Sequence, residues 1–233
     1  MMSGIRHFDL IKEGDHILIG VSGGKDSLAL LEFLGDAKKR AGEKFKLSAA
    51  HIRMDNINYA SETGYLEEQA QKVGIPLYIC TGNFEPDRNI KRTPCFLCSW
   101  TRRKMLFKLA QDLGCNKIAL GHHQDDILQT ALMNITFSGS FSTMPALIEM
   151  KKFPISIIRP FCETQEKDLK SWANIQHYQP MKKECPYDKS SNRTTIKKIF
   201  NDLETINPEF RYSFWHALCK QNVLIERHST FPT

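Results

Sequence analysis

Short apolar runs alternate along this chain with longer stretches in which apolar residues recur every three or four positions. Residues 16–21, 47–52, 77–80, 117–120 and 155–158 read as strands, each a brief apolar run bounded by Gly, Pro or charge. Helical spacing covers 27–40, 62–73, 98–113, 125–134, 165–176, 194–205 and 208–219. In the first of these Leu28, Leu30, Leu31 and Leu34 share a face, and in the third Met105, Leu106, Leu109 and Leu113 do. Strand–helix alternation of this kind predicts parallel βαβ units, hence an α/β fold with a doubly wound parallel sheet. After about residue 160 the pattern is helical only. The expected division is therefore an α/β domain over 1–160 and a small helical C-terminal appendage over 161–233. Residues 137–145, FSGSFSTMP, have loop composition and are expected to form a mobile flap.

Composition removes several classes of protein. At 233 residues with 41% hydrophobic and 25% charged residues, the chain can build a core without a staple and is not a disordered tail. Its apolar runs are far shorter than a membrane span, and residues 1–15 lack the apolar stretch of a secretory leader, so no membrane partner and a cytoplasmic location are expected. Seven cysteines, an odd number, argue against a disulfide framework there. The net charge of +6 is concentrated in two places. Residues 81–110 carry seven Lys and Arg against two acids, and residues 181–200 carry six against two, so the rest of the chain sums to −3. Two basic segments on a mildly acidic body predict a surface for a polyanion, nucleic acid foremost. Solvated lysines would explain charge alone, but both segments also hold cysteines.

Three motifs carry chemistry. Ser22-Gly23-Gly24-Lys25-Asp26-Ser27 lies directly between a strand and a helix. Its glycines allow a tight turn that presents backbone N–H groups, and the helix N-terminus adds donors and a positive dipole end, together a cradle for phosphate. Ile19 and Asp26 stand where a Walker A loop needs Gly and Ser or Thr, so this is a different phosphate loop. It looks like the pyrophosphatase (PP) loop of the N-type ATP pyrophosphatases, which split ATP between its α and β phosphates. The second motif, Gly121-His122-His123-Gln124-Asp125-Asp126, also follows a strand, and the carboxyl ends of parallel strands are where ligands sit in such sheets. Its two carboxylates fit either Mg²⁺ on ATP phosphates or the capping of a helix N-terminus. The third is Cys95-Phe96-Leu97-Cys98 with a distant Cys185 in the other basic segment. Spacing leaves zinc and iron–sulfur ligation equally open.

The order Glu13-Gly14-Asp15, SGGKDS, Cys95-x-x-Cys98, Arg102-Arg103, IALGHHQDDILQT at 118–130, Met144-Pro145, Ile158-Arg159-Pro160 and a late Cys185 resembles the TtcA-type tRNA 2-thiocytidine synthetases. The resemblance spans roughly residues 10–200. It implies an adenine nucleotide alpha hydrolase-like fold, a tRNA sulfurtransferase that forms AMP and pyrophosphate, and ATP, Mg²⁺ and a 4Fe–4S cluster as cofactors. Cys95, Cys98 and Cys185 become the cluster ligands, and with Lys25 and Asp26 the catalytic set. Ser22 to Ser27, Gly121, His122, Asp125 and Asp126 become the ATP site. Mg²⁺ falls to Asp26 with Asp125 or Asp126, and Arg102, Arg103 and Lys104 face tRNA or nucleotide. Partners implied are tRNA and a sulfur donor such as a cysteine desulfurase or sulfide, with a homodimer left open. Two stretches depart from the family pattern: 137–145 lacks a Gly-Gly-Lys sequence, and Met54-Asp55-Asn56 lacks the Pro-Gly after its Asp. The rival readings are a 2-thiouridine synthetase, a lysidine-type ligase and a non-catalytic, zinc-stabilised RNA-binding protein.

Overall fold

The computed structural model describes residues 1–42, 44–55, 58–59, 63–84, 93–151, 153–179, 181, 183–184 and 192–229, with backbone alone at 58–59, 183–184 and 228–229. In chain order the first elements are α1 (Met2–His7), β1 (His16–Gly20), α2 (Lys25–Arg40), β2 (Lys46–Met54), β3 (Asn58–Tyr59), α3 (Gly64–Val73), β4 (Leu77–Gly82) and α4 (Pro94–Asp112). There follow β5 (Lys117–Ala119), α5 (Gln124–Ser138), β6 (Leu147–Met150), β7 (Ser156–Ile158), α6 (Glu166–Ile175), β8 (Lys183–Glu184), α7 (Asn192–Ile206), α8 (Phe210–Lys220) and β9 (Ile225–Ser229). The chain forms two compact units. One comprises Ile11–Gly121 and Lys167–Tyr187, the other Met1–Leu10, His122–Glu166 and Asp188–Thr233.

The β1 unit is a parallel sheet in the order β4-β2-β1-β5. Ile17 pairs with Leu47 on one side and Lys117 on the other, and Ala49 pairs with Leu77. Ile17, Leu18 and Ile19 are wholly buried, as befits a central parallel strand whose two faces are both covered by helices. The chain starts in the middle, winds outward through β2 to β4, then returns through α4 to lay β5 on the other side of β1. Strand order therefore reverses between β1 and β5, the switch point at which doubly wound sheets bind ligands beyond their carboxyl ends. The opposite end is clamped by a buried ion pair, Lys117 Nζ to Asp15 at 2.7 Å, with Asn116 donating to the same carboxylate at 2.8 Å. Burial alone would raise the Asp15 carboxyl, but these donors hold it below the usual range. β3 and β8 form a separate antiparallel pair in which Asn58 stands opposite Glu184.

In the β6 unit, β6 pairs antiparallel with β7 (Leu147 to Ile158) and parallel with β9 (Leu147 to Ile225). Helix α5 packs on α7 and α8. Phe200 is fully buried against Phe210, 5.3 Å between ring centroids, and the Arg211 guanidinium lies 5.2 Å over the Phe200 ring. Among the described residues no helix is long and apolar enough to cross a membrane.

Every strand and helix expected from periodicity is present, most with ends moved by one to four residues. The elements that periodicity missed are α1, the two-residue β3 and β8, β6 and β9. Strand β9 reads IERHS, with an arginine, a histidine and an acid in five residues, and carries no alternating apolar signal. The chain also does not part at residue 160. Helices α7 and α8 pack on α5, and β9 joins β6, so the C-terminal residues share a core with 122–166. Residues 139–145 are held against α5: Asn134 donates to the Ser142 carbonyl at 3.0 Å, and Thr143 Oγ1 donates to the Ile127 carbonyl.

Candidate active site

The six residues after β1 form a small hydrogen-bonded knot. Ser22 donates its N–H and its Oγ to Ser27 Oγ, at 3.1 and 3.2 Å, and Ser27 Oγ donates to the Gly24 carbonyl at 2.9 Å. The turn needs Gly23, whose φ of +86° lies in the left-handed region. A Cβ there would also stand 2.7 Å from Met181 Sδ, and the Met181 N–H donates to the Gly23 carbonyl at 2.9 Å. The turn feeds directly into α2, with Gly24 at its N-cap, so the first-turn N–H groups face the mouth of the loop. Lys25 Nζ donates to both Asp26 oxygens, at 2.8 and 2.9 Å. This places one cation and one carboxylate at the open end of an N–H cradle, the set required to receive a metal-bearing polyphosphate.

Gly121 brings the second motif to this loop. A Cβ on Gly121 would lie 3.0 Å from the Asp26 carbonyl oxygen and 3.2 Å from the Ser27 nitrogen, so only glycine lets β5 end against the start of α2. Beyond it the chain enters the β6 unit, where the next five residues have partners that sequence alone did not reveal. His122 Nδ1 accepts from Arg159 Nε–H at 3.4 Å. Burial, then the Arg159 charge, push the imidazole down to about 4, so it is neutral and its proton sits on Nε2. His123 and Asp126 form a capping box at the start of α5: the His123 N–H donates to Asp126 Oδ2 at 3.1 Å and the Asp126 N–H donates to His123 Nδ1 at 3.3 Å. Asp126 Oδ1 accepts from Arg193 at 2.6 Å.

Asp125 is committed differently. One oxygen accepts from Arg211 at 2.8 Å and the other from the Glu166 N–H at 2.7 Å. Burial would raise this carboxyl, but the Arg211 and Glu166 hydrogen bonds, then the Arg211 charge, keep it below the ordinary range. Arg211 is itself gripped by Glu204 at 2.8 Å. Both carboxylates expected to serve Mg²⁺ thus have each of their oxygens hydrogen-bonded. Asp125 joins α5 to α8 and caps the first residue of α6, and both its oxygens are occupied.

Helix α4 carries the third motif. Thr93 caps it, accepting from the Phe96 N–H at 3.3 Å, and Pro94 opens its first turn. Cys95 and Cys98 stand one turn apart near the start of this 19-residue helix, neither in a disulfide, Cys95 exposed and Cys98 half-buried, a spacing that suits two ligands of a metal or cluster. Among the described residues no group of three His, Cys, Asp or Glu side chains converges as a metal site, and Cys185 lies outside them. Leu97, Cys98 and Met105 pack on Ile52, Met54 and Phe84. Arg103 and Lys104 are exposed and Arg102 is half-buried. Arg211 and Arg193 were the partners that the sequence did not announce, because isolated arginines far along the chain carry no local signal, and Arg159 stood in the Ile158-Arg159-Pro160 motif without its pairing to His122.

The PP-loop domain family matches residues 4–204 of this chain. The chain is similar to a tRNA-cytidine(32) 2-sulfurtransferase of Anaeromyxobacter sp. (strain K), 31% identical over 222 residues that make up 92% of this chain and 75% of the relative. A second tRNA-cytidine(32) 2-sulfurtransferase, from Polaromonas naphthalenivorans (strain CJ2), is 38% identical over 177 residues, 73% of this chain and 55% of the relative. Among solved structures, the U34-tRNA thiolase NcsA from Methanococcus maripaludis with its 4Fe–4S cluster shares the fold, with a TM-score of 0.75 at 23% identity over 94% of this chain and 76% of that one. By its phosphate loop, by the match over residues 4–204 and by identities above 30%, the chain belongs to the PP-loop family it shares with the tRNA-cytidine(32) 2-sulfurtransferases.

Proposed function

We propose that the protein is an ATP-dependent tRNA sulfurtransferase that replaces the C2 oxygen of an anticodon-loop cytidine with sulfur. The observation that carries this reading is the switch point itself, where the SGGKDS knot and Gly121 meet at backbone contact beyond β1 and β5. ATP phosphates lie over the Gly23-Gly24 turn, with Lys25 on the phosphates and Asp26 on their Mg²⁺. The cytidine C2 oxygen attacks the α-phosphorus, and the bond to the β-phosphate oxygen breaks. Pyrophosphate leaves into the N–H cradle, where Lys25 and the α2 N-terminus stabilise its charge. Sulfide then bonds to C2, the C2–O bond breaks, AMP departs, and the sulfur's proton is lost to solvent. Cys95, Cys98 and Cys185 are the side chains that would hold a 4Fe–4S cluster, which would supply the sulfide. Sulfur comes as free sulfide, or as the persulfide of a cysteine desulfurase that a thiol reductant converts to sulfide by two electrons. The target base must leave its stack to react, which favours a single-stranded loop as substrate.

Anaerobically purified protein given ATP, Mg²⁺, sulfide and tRNA should yield AMP, pyrophosphate and 2-thiocytidine, each dependent on tRNA. The Cys185→Ala protein should lose bound iron and thiolation. Protein that holds zinc alone, binds RNA equally with or without ATP and releases no pyrophosphate would establish the non-catalytic reading instead.

A further inference from the structure

Helix α4 presents two parallel rows to solvent. Residues four apart lie one above the other on a helix, so Cys95, Ser99 and Arg103 form one row, tied by Arg103 Nη2 donating to Ser99 Oγ at 3.3 Å. Phe96, Trp100 and Lys104 form the neighbouring row. Phe96 is 43% exposed, Trp100 is half-buried, and the Lys104 ammonium stands 5.3 Å over the Trp100 ring. The inward side of α4 is already filled by Leu97, Cys98 and Met105 on Ile52, Met54 and Phe84, with Leu106, Phe107 and Ala110 buried further along. A half-buried indole beside an exposed phenyl lies on a helix that carries Arg102, Arg103, Lys104 and Lys108 against the single acid Asp112.

We propose that the Phe96–Trp100–Lys104 row is a stacking platform for an unpaired base of the RNA substrate, with Trp100 as its centre. The inference rests on the tRNA reading above. Aromatic faces take any base, and interleaved cations take the flanking phosphates, which is the chemistry single-stranded nucleic acid requires. The Lys104 ammonium lies over a face of the indole, so a base that stacks there takes its place and leaves the ammonium to the adjoining phosphate. The partner is RNA and not an apolar protein surface because the row runs into the cations Arg102, Arg103, Lys104 and Lys108 with no acid before Asp112. The platform adjoins the Cys95 row on the same helix, so a base held there stands beside the thiolates assigned to sulfur delivery.

The test is a cycle of binding measurements with an anticodon stem-loop RNA, intact or carrying an abasic nucleotide at each loop position in turn. Trp100→Ala should weaken binding of the intact RNA about tenfold or more, and Trp100→Phe should restore most of it. At one loop position the abasic RNA should bind wild type as weakly as the intact RNA binds Trp100→Ala, with no further loss when the two changes are combined. Lys104→Gln should lower the salt dependence of binding, whereas Trp100→Ala should leave that slope unchanged, because stacking releases no counterions. Unchanged affinity in Trp100→Ala, or an equal loss for every abasic RNA, would overturn the platform while leaving the thiolation reading intact. So would a change in oligomeric state with RNA affinity preserved, which would make the row a protein interface. Wild-type protein that binds no stem-loop would remove both readings together.

Discussion

The two glycine motifs look alike in sequence, each a glycine followed by polar residues between a strand and a helix, yet they are built in opposite ways. In the Ser22–Ser27 loop the bonds among Ser22, Gly24 and Ser27 run within six residues, the shape follows from Gly23 and from the start of α2, and Met181 adds one backbone bond from afar. In the His122–Asp126 segment, by contrast, three side chains are held from far away. Arg159 reaches His122, Arg193 reaches Asp126, and Arg211 reaches Asp125 from 86 residues along the chain. An acid pair that reads as a metal site therefore consists of two carboxylates with all four oxygens engaged. Local rules describe the first motif; the second depends on which cations the fold delivers.

Breaking the local motif should have the largest effect. Asp26→Asn removes the carboxylate beside the phosphates and frees Lys25 of its partner, so ATP-to-AMP turnover should fall about 100-fold or more while tRNA affinity stays near wild type. Equal losses in turnover and in affinity would show that the loop is misassigned.

The long-range partners should divide by burial. Arg211→Met strands Asp125 and Glu204 in a site only 11% and 31% exposed, so unfolding should be easier by about 3–5 kcal/mol, with Arg211→Lys recovering part of it. Arg193→Gln breaks a pair whose arginine is 55% exposed, and its cost should be below about 1 kcal/mol. Similar melting temperatures for the two variants would erase the distinction between a buried and a solvated partner.

The smallest effect is a pH signature of the same segment. In the folded state His122 titrates near 4, against an ordinary value of 6.5. Between those values the unfolded chain takes up a proton that the folded chain refuses. Its contribution to stability is therefore complete above about pH 6.5 and drains away as the pH falls towards 4. Asp125 is depressed as well, so its contribution is lost only at lower pH, below the usual carboxylate value of 3.8. His122→Asn should flatten the upper part of the acid limb, measured by denaturant midpoints across pH 4–7. An unchanged limb would mean that another group refuses the proton.

Much of the architecture was legible because it is written in short-range pattern. The parallel strands announce themselves as apolar runs such as residues 16–21, since a strand buried on both faces has no polar positions to spare. Leu28, Leu31 and Leu34 give α2 away by spacing. Strand β9 could not be read so, because IERHS sits beside β6 through backbone pairing that its side chains do not advertise. The division at residue 160 failed for a related reason. Helical spacing shows that α7 and α8 are helices with a buried face but not which partner buries it, and that partner is α5.

What the sequence determined by itself is the chemistry whose geometry is local: a phosphate loop made by glycine φ angles and a helix start, two thiols one helical turn apart, and the strand–helix rhythm that puts both near the carboxyl edge of a parallel sheet. What only the tertiary structure decided is how each charge is used. Lys117 clamps Asp15 at the start of β1, Arg211 engages Asp125, and burial together with Arg159 keeps His122 neutral. The reason is physical: backbone conformation is set by adjacent residues, whereas the state of a carboxylate or imidazole depends on burial and on charges within a few ångströms, and those arrive from distant parts of the chain only when it folds.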